Sequence, residues 1–190
     1  MRAAYLVLAA LAAAACGGSA PRPAAVAPAT TQAIARAEAS ERARNYDEAR
    51  ARYQAAERDA PDDTSRAFAA RKRASALMFW GEYEAAATAL ETVVALAPAD
   101  ASAWHDLGIL RHRAGDAAGA ERALREAVAH APKDARPRIA LAAVLVNQHR
   151  YGDALAEYEH ILDLDIPERT RDAVHEGIAL LRAEMARDGR

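Results

Sequence analysis

Cysteine occurs once in the 190 residues, at Cys16, so no internal disulfide can staple the chain. Aromatic residues make up only 5%, which together with abundant alanine argues against strands and suits closely packed helices. Lysine occurs twice, at Lys72 and Lys133, and the other cationic side chains are arginine. The net charge of -2 gives no general reason to bind nucleic acid or anionic lipid. HExxH, CxxC, G-x-S-x-G, P-loop and Rossmann patterns are all missing, so an enzyme reading has no residue to stand on. No cofactor or metal is expected. The longest uncharged apolar run, Ala3 to Ala15, falls short of a ~30 Å hydrocarbon core.

What is present is an ordinary globular composition, 52% hydrophobic and 27% charged, long enough for one domain. Residues 1–15, one cation followed by the apolar run, read as a removed signal peptide. Residues 16–29 are rich in Pro, Ala and Gly without periodicity and read as an extended tether. The join, Ala13-Ala14-Ala15-Cys16-Gly17-Gly18-Ser19, resembles a bacterial lipobox, departing from it at Ala13 where leucine is usual. That resemblance implies lipidation of Cys16 and a membrane anchor, since acyl chains contribute about 0.8 kcal/mol per buried CH2. It also places the protein in the bacterial cell envelope, with Gly17 after the Cys leaning toward the outer membrane facing the periplasm.

From residue 30 the chain repeats itself. Trp104, Leu107, Gly108 and Arg111 fall on one side of a helix, and Ala120, Leu124 and Ala127 on one side of a second. Gly115-Asp116 turns between them, with Asp116 placed to cap, and Pro132 ends the second helix. Thirty-four residues earlier stand Gly81, Ala86, Leu90, Val93 and Pro98; thirty-four later, Leu141, Ala142, Leu145, Ala154, Tyr158 and Ile161. An earlier unit reads Tyr46, Ala49, Tyr53, Ala56 and Pro61, set off by three extra residues, Thr64 to Arg66. Units of 30–63, 67–100, 101–134 and 135–168 result, with a capping helix and tail over 169–190. Helices are expected near 31–44, 47–59, 65–80, 83–96, 101–114, 117–130, 135–149, 152–164 and 168–187. Arg73, where the third unit has Leu107, must snorkel outward or mark a register change.

Trp104, Leu107, Gly108, Ala120, Leu124, Ala127 and Pro132 hold the order and spacing of the tetratricopeptide repeat (TPR) family, which the chain resembles over most of its length. The resemblance implies an all-α superhelix of four helix pairs plus a cap. It also implies that the first helix of each pair lines a concave groove. In the second unit the groove places hold Phe68, Arg71, Lys72, Ser75, Met78 and Phe79. In the third they hold Ser102, His105, Asp106, Ile109, His112 and Arg113; in the fourth, Arg136, Ile139, Ala140, Ala143, Val146 and Asn147. The basic cluster of Arg71, Lys72, Arg113 and Arg136, with Phe68, Met78 and Phe79 exposed beside it, would suit an acidic peptide carrying an apolar side chain. Asp106 and Ala140 break the carboxylate clamp some TPR domains carry, although Arg71 and Arg136 match it in charge. His105 and His112 share a helix face without a metal-box spacing, and His130, His149, His160 and His175 stand alone.

The expected function is therefore a membrane-tethered scaffold or adaptor holding a protein or peptide partner. The alternatives are an assembly factor for a pilus or outer-membrane machine, a self-associating structural module, and an envelope enzyme with an unfamiliar site. Oligomeric state and partner identity are not legible.

Overall fold

A computed structural model describes residues 25–187, which form nine α-helices and no strand among the described residues. They run α1 (Pro28–Arg42), α2 (Tyr46–Arg58), α3 (Asp63–Trp80), α4 (Tyr83–Leu96), α5 (Ala101–Arg113), α6 (Ala117–His130), α7 (Ala135–Asn147), α8 (Tyr151–Leu162) and α9 (Glu168–Arg187). Sequential helices pack antiparallel in pairs, and each pair stacks on the next into an all-α superhelix. None of these helices is long and apolar enough to cross a membrane. The expected signal peptide, Cys16 and most of the tether lie outside the described residues.

The turns set the repeat. Within each pair, the residue that reverses the chain has positive φ: Arg44 (60°), Gly81 (81°), Gly115 (82°) and His149 (59°). The last three are 34 residues apart, and the first is displaced by the three-residue insertion. These positions end α1 and α7 two residues earlier than their apolar periodicity suggests, because a residue in the left-handed region cannot continue a helix. Aspartates cap the starts of α3, α5 and α6. Asp62, Asp100 and Asp116 accept hydrogen bonds from the backbone N–H of Ser65, Ala103 and Gly119, satisfying donors the helix leaves free.

Thr64 to Arg66 do not separate two units as a linker. They lengthen α3 at its start, giving 18 residues against 13 in α5 and α7. The extra turn is held because Ser65 is fully buried, donates to Asp62 and accepts from the backbone N–H of Ala27.

The core is a series of small-on-large contacts. Leu77, Leu90, Val93, Leu107 and Leu110 fill one cluster, and Leu124, Leu141, Val144 and Leu145 the next. Truncating any of the fully buried leucines to Ala would cost about 2–5 kcal/mol. Trp104 is only partly buried against the first cluster, and its indole N–H donates to the Pro98 carbonyl at 2.8 Å, tying α5 to the turn before it. Val174, Ile178 and Leu181 seat α9 on α8, while Leu180 faces outward.

Candidate functional site

The first helices α1, α3, α5 and α7 lie side by side and parallel, one antiparallel helix intervening in sequence between each two. Polar contacts stitch them together near one unit's spacing: Lys72 to Glu38 at 3.0 Å, Arg71 to Asp106 at 3.9 Å, and the Asn147 amide to His112 at 3.0 Å. Five of these six residues stand at the expected groove places and Glu38 of α1 joins them, so that face of the four helices forms one continuous surface.

Three of its four cations are paired with acids. Arg71 bonds Asp100 as well as Asp106. Lys72 lies over the Phe68 ring while it pairs with Glu38. Arg136 is held by Asp134 through two nitrogens, at 2.6 Å from Nη2 and 3.0 Å from Nε. Arg113 stacks 3.9 Å above Tyr83 of α4. Asp100 and Asp134 each cap the start of a helix and also neutralise a groove arginine. Of the four cations expected to attract an acidic ligand, Arg71, Lys72 and Arg136 are therefore each paired with a carboxylate, while Arg113 keeps its charge over a neutral ring. The Arg136 guanidinium holds the Asp134 carboxyl below the usual carboxylate range.

The apolar groups divide differently from the sequence reading. Phe68 and Met78 are half-buried against the core and contribute little free surface. Phe79 is 79% exposed, Ile109 41% and Ile139 37%; with Tyr46 and Leu180 they are the large exposed apolar residues among those described. Three of the five thus lie on successive first helices. Ser75 and Ala143 are exposed beside them, and His105 contacts its neighbour Asp106 at 3.2 Å. Among the described residues no three His, Cys, Asp or Glu side chains gather at metal-binding distance.

Arg73 neither snorkels nor shifts the register. It turns into the interface with α2 and meets Glu57 at 3.0 Å, both side chains largely shielded from solvent. Burial raises the Glu57 carboxyl above its usual range, with Arg73 and Arg66 pulling the other way. Glu57 was the residue sequence reasoning missed, and the available signal was its place in α2, opposite the one unit whose apolar position holds arginine.

Residues 111–165, spanning most of the last two helix pairs, match the family model described as tetratricopeptide repeat. Within that span the helix pairs are TPRs. Solved TPR structures share the arrangement: MamA superposes with a TM-score of 0.69 at 20% identity, covering 80% of each chain. YrrB, described as a TPR protein with an unusual peptide-binding site, does so at 0.65 and 17% identity, covering 81% of this chain and 76% of its own. The Yersinia enterocolitica type III secretion chaperone SycD, in complex with a peptide of the translocator YopD, gives 0.57 at 18% identity, covering 60% of this chain and 91% of SycD. These identities speak to the TPR fold alone. No curated protein sequence matches the chain.

Proposed function

We propose that this chain is a non-catalytic TPR scaffold whose concave face holds a protein or peptide partner, anchored through a lipidated Cys16 in the bacterial cell envelope. The observation that carries the binding role is the exposure of Phe79, Ile109 and Ile139 on three adjacent first helices. Large apolar side chains repeated along one face offer a partner apolar area to bury. YrrB and SycD, described with peptide sites or bound peptide, support the same use of the fold. The anchor rests on the sequence Ala13 to Ser19, and with Gly17 favours the outer membrane facing the periplasm. An assembly factor for an envelope machine is one form such a scaffold takes.

Two measurements test the two halves. Proteins co-purifying with the full chain from envelope extract are compared between wild type and Phe79→Ser/Ile109→Ser/Ile139→Ser, with the exposed Leu180→Ser on α9 as control. Loss in the triple variant alone is expected; equal recovery from all three proteins overturns the groove. Intact mass of the mature protein should show acyl chains on an N-terminal Cys16, and Cys16→Ser should release it from membranes. An unmodified mass with full membrane retention overturns the anchor.

A further inference from the structure

Arg36, Arg73, Leu107 and Leu141 hold one place in the four first helices, once the three-residue insertion is allowed for. At the inner seams that place is covered by the second helix of the preceding pair: Glu57 meets Arg73 at 3.0 Å, and Val94 packs in one cluster with Leu107. Among the described residues no pair precedes α1, and Arg36 stands exposed. It borders a solvent-open cavity of about 360 Å³ between α1 and α2, lined by Ala29, Ala33, Ala55, Ala56 and Arg52. In the third pair the residues corresponding to Ala33, Arg36, Arg52 and Ala55 are Trp104, Leu107, Ala123 and Glu126, and they line a cleft together with Val94 of α4. The first pair therefore keeps the seat that elsewhere receives a helix, widened by Ala33 in the place of Trp104. No described acid pairs with Arg36; Asp59, the carboxylate at the cavity, is taken by Arg58 at 2.8 Å.

We infer that a second copy of this chain fills the seat with its α9, joining copies end to end. At the other end of the array α9 leaves Leu180 outward, 65% exposed, with Glu176 exposed one turn before it. The spacing matches on the two surfaces. Leu180 and Glu176 are one turn apart on α9, as Ala33 and Arg36 are on α1, so a leucine entering the alanine-lined cavity brings a carboxylate to the arginine. The chain supplies its own precedent, since Arg73 at the same place takes Glu57 from a neighbouring helix. Charge argues against the segment ahead of α1 as the occupant. Residues 1–24 hold no Asp or Glu, and the Ala27 N–H donates to Ser65 of α3 at 2.9 Å, which ties the entering chain to the next pair. An end-to-end contact joins two different surfaces, so it continues past the dimer into a ring or a filament. The seat lies on α1 and α2, whereas Phe79, Ile109 and Ile139 lie on α3, α5 and α7, so the inference does not rest on the groove.

Native mass spectrometry of the detergent-solubilised full chain, between about 1 and about 100 μM, counts the copies directly. Wild type should give species beyond the dimer that grow with concentration. Arg36→Glu spoils the seat and Leu180→Asp spoils the α9 face; both side chains are exposed, so neither change disturbs the core, and unchanged thermal unfolding checks this. Each variant alone should associate at least about tenfold more weakly than wild type. Mixed in equal amounts they should form a mixed dimer and nothing larger, because each keeps the end that the other has lost. Arg36→Lys, which keeps the charge, should assemble like wild type. A wild type that stays monomeric at about 100 μM, single variants that assemble unchanged, or a mixture that stays monomeric overturns the inference. The Phe79→Ser/Ile109→Ser/Ile139→Ser variant should also assemble like wild type. If that variant is the one that stays monomeric, the second copy lies in the groove and the end-to-end contact falls.

Discussion

At the step from the first helix pair to the second, the facing places hold Arg73 and Glu57; at the next step the same places hold Leu107 and Val94, and at the third Leu141 and Val128. The backbone is common to all three, while the chemistry is apolar at two and ionic at one. Both partners have changed together, so the first interface buries a neutral pair rather than a lone charge. The substitution still leaves a cost. The Glu57 Oε2 and Arg73 Nε lie in ionic contact without hydrogen-bond geometry, and the nearby Trp80 indole N–H is buried without a partner. A buried ion pair seldom outweighs the apolar contact it replaces, because removing two charges from water costs several kcal/mol per ion. The first helix pair should accordingly be the least tightly coupled part of the array.

The largest expected effect tests that pairing. Glu57→Val alone leaves the Arg73 guanidinium buried and should cost about 3–5 kcal/mol in urea unfolding. Adding Arg73→Leu recreates the chemistry of the next interface and should restore stability to wild type or exceed it by about 1–4 kcal/mol. If the double variant is no more stable than the single, the two interfaces are not equivalent and the comparison fails.

The third hairpin offers a second contrast. Gly108 corresponds to Ala37, Ala74 and Ala142, each fully buried in its own pair. A Cβ at Gly108 would come within 2.6 Å of Leu124 Cγ, whereas Ala74 coexists with the equivalent Leu90. α5 and α6 must therefore approach more closely than α3 and α4. Gly108→Ala should destabilise by about 1–3 kcal/mol, as overpacking does. A neutral result in thermal unfolding would mean that the third hairpin can relax to the spacing of the second.

These contrasts mark what was legible from residues. The 34-residue step, the Asp116 cap and the turn at Gly115 follow from local chemistry, and the helices came within two or three residues of expectation. The groove cations were legible by position, but their neutralisation was not. Asp100 and Asp134 were not singled out from sequence, and nothing local says that their carboxylates reach Arg71 and Arg136. Arg73 was visible as an anomaly, yet Glu57 escaped because the insertion at Thr64 to Arg66 moves α2 out of the 34-residue register.

Smaller effects come from the four turns. Gly81 and Gly115 hold positive φ with open space around them, so only backbone strain opposes a side chain there. Arg44 and His149 already bear that strain. Gly115→Ala should cost about 1–2 kcal/mol, and His149→Gly should recover about that amount. Equal stability of wild type and His149→Gly would show that the His149–Tyr151 contact, 2.8 Å between Nδ1 and the hydroxyl, offsets the strain.

The smallest effects should appear in the dependence of stability on pH, where the two ends of the array carry opposite signs. The folded pKa of Glu57 is raised, so its contribution is fully present below its unfolded value of about 4.3 and is lost as pH rises through the folded one. The folded pKa of Asp134 is lowered, so its contribution is present above about 3.9 and is lost as pH falls through the folded value. Glu57→Gln should therefore flatten the stability profile above about pH 4.3, and Asp134→Asn should flatten it below about pH 3.9. Both profiles can be read from urea midpoints across that range. Because Asp134 is more exposed and screened by salt, its arm should shrink in 1 M NaCl while that of buried Glu57 persists. Flattening on the same side of the profile in both variants would show that the ionic interface and the groove face respond to one shared charge network instead of two local environments.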